Sequence, residues 1–272
     1  MSLSAVLFLF LAHLGVGISC TLPCVSRDAG VKFFRFNAGL AAVLIAVALA
    51  FREGFSSGVA AGSSLSGAGV LALACGEAAL VVYWATVGRM LARIRPMLVA
   101  VAVGGGLAAV VAQAFAASAG RPLSMRLLTA ASFLSSAALL GGACTAMVLG
   151  HWYLILPSMQ VQHLQSIVKL HIGSMIARIV VVAAAVYVGV SAWPPGFGPG
   201  FGRYIMSAAG VFFWQRVLFG LGGPAVLSYL TWETAKIRST QSATGILYVD
   251  FFTVVVGEVL AKYLLLATRV PV

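Results

Sequence analysis

Eight apolar stretches, at roughly 3–19, 37–51, 65–88, 97–118, 127–150, 166–190, 205–232 and 242–268, leave this chain few ways to fold. Most are near or above the about 20 residues that an α-helix needs to cross the hydrocarbon of a bilayer. Inside lipid every backbone amide must be satisfied by the protein itself, so only helices or closed barrels can span. The in–out alternation of barrel strands is absent. The expected fold is therefore all-α: a polytopic membrane bundle of about eight transmembrane helices, a single transmembrane domain over residues 1–272. Composition agrees, since 61% of the residues are hydrophobic and 8% charged, against about 25% charged in soluble domains. So apolar a chain is not disordered either, and its short loops leave no room for a separate soluble domain.

Residues 4–18 run into Ser19-Cys20 as a signal peptide or a loose lipobox would. No Lys or Arg precedes the run, and Gly17 stands where a lipobox prefers Leu, so the segment reads as the first span. The second stretch is short and is expected to borrow from Lys32-Phe33-Phe34-Arg35-Phe36, which reads as an interfacial helix with its cations toward lipid phosphates. Loops after the odd-numbered spans carry Arg27, Lys32, Arg35, Arg89, Arg93, Arg95, Lys169, Lys236 and Arg238. The opposite side carries Arg52, Arg121, Arg126, Arg203 and Arg269. This bias predicts that both termini are non-cytoplasmic, in a multi-pass protein of the cell inner membrane. Trp193-Pro-Pro-Gly-Phe-Gly-Pro-Gly-Phe-Gly202 is too rich in Pro and Gly for a helix and reads as a connector, a lid or a docking strip.

Six ionisable residues lie within the apolar stretches: Glu77, Arg178, Arg216, Asp250, Glu258 and Lys262. Each is costly in hydrocarbon, so each is expected to face the bundle and find a partner. Three acids and three bases allow neutral pairing. Glu258 and Lys262, four apart, are in the order favoured for an ion pair within a helix, although Lys262 is near enough its span's end to snorkel outward. Asp250 and Glu258, eight apart, can face one crevice at two depths. The remaining charges, nearly all basic, sit in loops and account for the net charge of +11, which reports contact with anionic lipid rather than nucleic acid. Gly220-Leu-Gly-Gly-Pro224, shortly after Arg216, predicts a kink.

The buried set reads as a proton path, as a polar pocket for a quinone head group, or as a salt-bridge network that fixes helix packing. His171 suits a hydrogen bond to a quinone carbonyl. Given the assigned topology, His13 and His171 come to similar depths, where two imidazoles can hold a b-type haem; alternatively His13 is simply hydrogen-bonded in the bundle. His151-Trp-Tyr-Leu-Ile-Leu-Pro157 reads as a headgroup-level belt. Cys20, Cys24, Cys75 and Cys144 form no zinc or ferredoxin pattern, so no metal site is expected. Phosphate loops, nucleophile elbows and HExxH motifs are absent, which leaves soluble hydrolase and nucleotide chemistry unsupported.

The last span carries Gln241-Ser-Ala-Thr-Gly-Ile-Leu-Tyr248 and then Gly257-Glu258-Val-Leu-Ala-Lys262-Tyr-Leu-Leu. A Gly-Glu step followed four residues later by a cation resembles the membrane-anchor subunits of dimethyl-sulfoxide-reductase and polysulfide-reductase type complexes. The likeness covers about 25 residues and the span count. It implies a subunit without its own metal that binds a quinone and holds iron–sulfur or cytochrome subunits at the membrane, with Glu258 the residue matched by motif. On that reading Glu258, Asp250, Arg216 and His171 form the quinone or proton site, with Glu77, Arg178 and Lys262 as further members. Two alternatives are a structural or assembly subunit, favoured by close-packing small residues such as Gly104-Gly-Gly106 and Gly141-Gly142, and a small-solute or ion transporter. The absence of an internal repeat weighs against the transporter.

Overall fold

The computed structural model describes residues 2–59, 64–89, 92–156, 159–191 and 200–272. Among them there is no strand, and eight helices are long and apolar enough to cross a membrane. They are α1 (Leu3–Thr21), α2 (Gly30–Ala50), α3 (Ser64–Thr86), α4 (Arg95–Ala117), α5 (Leu123–Ile155), α6 (Val161–Ser191), α7 (Val211–Lys236) and α8 (Thr240–Thr268). The all-α polytopic bundle expected from the sequence is thus the architecture found. Helices α1 and α5 are buried over most of their length; α2, α4, α6 and α8 pack against them, with α3 against α2 and α4 and α7 against α6 and α8. The outer helices present Leu71, Met97, Tyr187 and Phe252 outward. In water such faces would be aggregation sites; against acyl chains they carry no such cost.

Lipid supplies no hydrophobic drive between helices, so close approach and polar bonds must hold them. Gly17 of α1 and Gly141 of α5 cross so closely that a Cβ on either would overlap the other's backbone. One turn further along, the Thr21 and Thr145 hydroxyls are bonded at 2.6 Å. Gly76 and Gly105 form the equivalent seam between α3 and α4, where a Cβ on Gly105 would come 2.9 Å from Ala72 O.

Several boundaries differ from expectation. Lys32–Phe36 is no separate interfacial helix but the opening turns of α2, with Phe33 buried edge-on against Trp152. The His151 segment is mostly helix, not loop, because α5 continues to Ile155 and α6 starts at Val161. At 33 residues, α5 is about 50 Å long, well beyond ~30 Å of hydrocarbon. Polar ties stabilise these extensions: Tyr153 Oη donates to Gln160 O, and His163 Nε2 lies 2.9 Å from Asp28 Oδ2. The seventh span starts at Val211 rather than 205, after a short helix at Phe201–Ile205. Residues 193–199 of the Pro/Gly-rich segment lie outside the described residues.

The kink expected in α7 is a π-helical turn, Leu218–Gly222. Here a Cβ on Gly220 or Gly257 would overlap the other's backbone. These two glycines set α7 against α8.

Candidate functional site

Two polar rungs join α6 to α8, with α5 alongside. Arg178 and His171 are seven residues apart on α6, and Glu258 and Asp250 eight apart on α8. The rungs are therefore separated by about 11 Å along the helices at 1.5 Å per residue.

The Glu258 rung is a dense network in which Arg216 Nε alone of the carboxylate and guanidinium atoms lacks a hydrogen-bond partner. Its Oε1 accepts from Arg178 Nε at 2.9 Å and from Arg216 Nη2 at 2.8 Å. Its Oε2 accepts from Arg178 Nη2 at 3.1 Å and from Ser136 Oγ at 2.6 Å. Arg178 Nη1 donates to Ser132 O and Oγ, at 3.1 and 2.8 Å. Lys262 does not snorkel: its Nζ donates to Ser136 Oγ at 2.7 Å, 3.7 Å from Glu258 Oε2, and lies over the Phe133 ring. Arg178, Arg216, Glu258 and Lys262 are all buried. The wider spacing of the π-turn has a direct use here, because Gly220 O accepts from Arg216 Nη1 at 2.8 Å. The backbone acceptor that a broken helix would offer to a ligand is taken by the chain's own guanidinium.

The upper rung is different. His171 Nε2 lies 2.6 Å from Asp250 Oδ2, with both side chains at 0% exposure. The approach is close, but neither atom is in a hydrogen bond, and His171 Nδ1 and Asp250 Oδ1 are also without hydrogen-bond partners. Gly142 of α5 packs beside the imidazole, and a Cβ there would stand at ordinary contact distance, 3.6 Å, from His171 Nδ1. Beside α8, toward its first residue, a recess of about 520 Å³ opens, lined by Tyr153, Leu154, Gln241, Thr244 and Tyr248 among others. Tyr248 Oη is bonded to His151 Nδ1 at 2.9 Å on its exposed rim.

The neutral pairing of three acids with three bases is not what forms. One acid, Glu258, gathers all three bases, and Asp250 pairs with a histidine instead. Glu77 is half-buried on α3, and among the described residues it has no ion-pair partner. His13 and His171 are not brought together. His13 Nδ1 is 3.4 Å from Ser136 Oγ and its ring stands edge-on to Phe133, whereas His171 packs by Gly142, six residues or about 9 Å further along α5. The equal depth inferred from span ends fails because α6 begins at Val161, ahead of the apolar run at 166 that sets the expected depth. Among the described residues no three His, Cys, Asp or Glu side chains converge as metal ligands would.

Ser132 and Ser136 are the site residues that sequence reasoning missed. The signal was there: Ser132, Ser135 and Ser136 form a polar cluster in a mostly apolar span, and a hydroxyl in lipid seeks a partner on another helix. No protein-family model matches the chain, and no curated protein is similar to it.

Proposed function

We propose that this membrane-spanning bundle is a subunit of an electron-transfer complex of the inner membrane, where it binds a quinone head group and supplies its protons. The head group occupies the α5–α8 recess, and iron–sulfur or cytochrome partner subunits deliver two electrons. Two protons reach it through His171 and Asp250, giving the quinol. The observation that carries this reading is the His171–Asp250 pair: fully buried, 2.6 Å apart, with polar atoms left unpartnered. A neutral imidazole beside a carboxylic acid and an imidazolium beside a carboxylate have the same net charge, so once a turn of the imidazole aligns the pair a proton can cross it without adding charge to a dry interior. Glu258, expected from the sequence to be a proton carrier, has donors on both oxygens and is better suited to hold the electrostatic frame.

The test is quinol formation by the complex purified from native membranes, with a short-chain quinone analogue. Asp250→Asn should lower turnover at least about a hundredfold, the lower end of what a positioned proton donor contributes, while the redox subunits still co-purify. Unchanged turnover would remove Asp250 from the path. Failure of any redox subunit to co-purify with the wild-type chain would reject the electron-transfer reading itself. A second reading, a structural subunit, is favoured by the Glu258 network, which ties α5, α6, α7 and α8 at one level. Under it, Asp250→Asn lowers yield and melting temperature and leaves the turnover of assembled complex intact.

A further inference from the structure

Between α6 and α7 lies a groove of about 410 Å³, independent of the site above. Its walls are two helical stripes, Ile172, Met175, Ile176 and Ile179 on α6 against Ala225, Tyr229 and Trp232 on α7. Such a volume is in the range of built ligand sites. The groove has polarity along its length. At one end two ammonium groups converge on the same ring, Lys169 Nζ at 5.2 Å and Lys236 Nζ at 5.4 Å from the Trp232 centroid. Lys236 also binds Glu233 at 2.6 Å, while among the described residues Lys169 has no acidic partner. Just beyond, Gln165 Nε2 donates to Ala235 O at 3.1 Å and ties α6 to α7.

Ser228 lines the groove one turn from Trp232, about 6 Å deeper. It is 2% exposed, and its Oγ makes no hydrogen bond. A serine in a helix ordinarily satisfies itself on the preceding turn, and an unmade bond on a buried hydroxyl costs about 1–3 kcal/mol. The free hydroxyl therefore points to a ligand acceptor in the groove.

We propose that the α6–α7 groove is a binding site for one anionic phospholipid. The phosphate sits at Lys169 and Lys236 against the Trp232 ring, an ester carbonyl accepts from Ser228 Oγ, and an acyl chain follows the isoleucine stripe. The order of the three features along the groove is that of a phospholipid: charge at the headgroup level, a carbonyl just beneath, hydrocarbon below. Lys169 on α6, Lys236 at the last residue of α7 and Arg238 just beyond it lie toward the end of the bundle that carries most of the chain's cations, where anionic headgroups are attracted at about 1 kcal/mol per cation.

The full chain is reconstituted in phosphatidylcholine vesicles containing a small fraction of either phosphatidylglycerol or phosphatidylcholine with dibrominated acyl chains. The Trp232 contribution is the fluorescence difference between wild type and Trp232→Phe. Brominated phosphatidylglycerol should quench it at a mole fraction about tenfold lower than brominated phosphatidylcholine. Lys169→Ala should erase about fivefold of that preference. Ser228→Ala should weaken quenching by both lipids alike, since both carry the ester carbonyl. Equal quenching by the two lipids, or a preference untouched by Lys169→Ala, would overturn the proposal and leave only ordinary boundary lipid. If Trp232→Phe does not fold, native mass spectrometry of wild type and Lys169→Ala decides instead. Retained phosphatidylglycerol that is lost in the variant supports the site, and equal retention refutes it.

Discussion

Replacing Glu258 with Gln tests the Glu258 network most directly. The substitution keeps shape and hydrogen-bonding capacity but removes the one carboxylate shared by Arg178, Arg216 and Lys262. Three cations then remain side by side at essentially no exposure. Breaking a buried pair by deleting one partner costs about 3–5 kcal/mol, because the other charge stays desolvated. For a chain of this size that corresponds to a fall in melting temperature of roughly 10 °C. The three cations should rank unequally. Arg178 donates to both carboxylate oxygens and to Ser132, so Arg178→Met should match Glu258→Gln. Lys262 is 3.7 Å from the carboxylate and is one of three like charges. Its removal relieves repulsion while losing one bond to Ser136, so Lys262→Met should change stability by no more than about 1 kcal/mol. Thermal unfolding of detergent-solubilised protein, followed by size exclusion, reads the series. A Glu258→Gln variant that melts within about 2 °C of wild type, or a Lys262→Met variant as damaged as Arg178→Met, would refute this role for the carboxylate.

Gly141→Leu should abolish the folded bundle, because no space exists against Gly17, whereas Gly104→Ala should be neutral since nothing lies within 4 Å of its Cβ position; yield of monodisperse protein distinguishes them. Gly257→Ala should push α8 off the π-turn and weaken the Arg216–Glu258 bond, giving a melting temperature near that of Arg216→Met and no further loss when the two are combined. Ser136→Ala removes a hydroxyl that bridges Glu258 and Lys262, and about 1–3 kcal/mol of stability should go with it. A variant keeping only Cys24, an exposed thiol in the connector after α1, should react with a membrane-impermeant maleimide from the cytoplasmic side alone. Labelling from the opposite face would reverse the topology drawn from the basic loops.

The eight spans were legible because a run of apolar residues long enough to cross lipid has few other uses. Helix ends were less so: α5 and α6 continue past their apolar cores, where polar residues such as His151 and Gln165 remain helical through tertiary ties that no local pattern announces. Within the site, the four-residue spacing of Glu258 and Lys262 pointed to a real neighbour, though the weakest of the three cations by distance. Which charges meet across helices depends on helix rotation. That rotation is set by glycine contacts such as Gly220 with Gly257, and hydropathy is blind to it. Depth was misjudged for a related reason, since counting from an apolar boundary assumes that the helix begins there.

The π-turn of α7 works as a phase shifter. By carrying extra backbone per turn, it lets Arg216 aim at α8 while Ser228 and Trp232, further along, aim at α6. If substitutions turned the same five residues, Leu218–Gly222, into regular α-helix, everything downstream would rotate by about 100°, one residue's worth. The hydropathy profile would scarcely change, and the chain would still be inserted as the same eight spans. Yet the guanidinium and the groove would no longer belong to the same helix geometry, so a shift in register, with no change in chemistry, would cost the protein both.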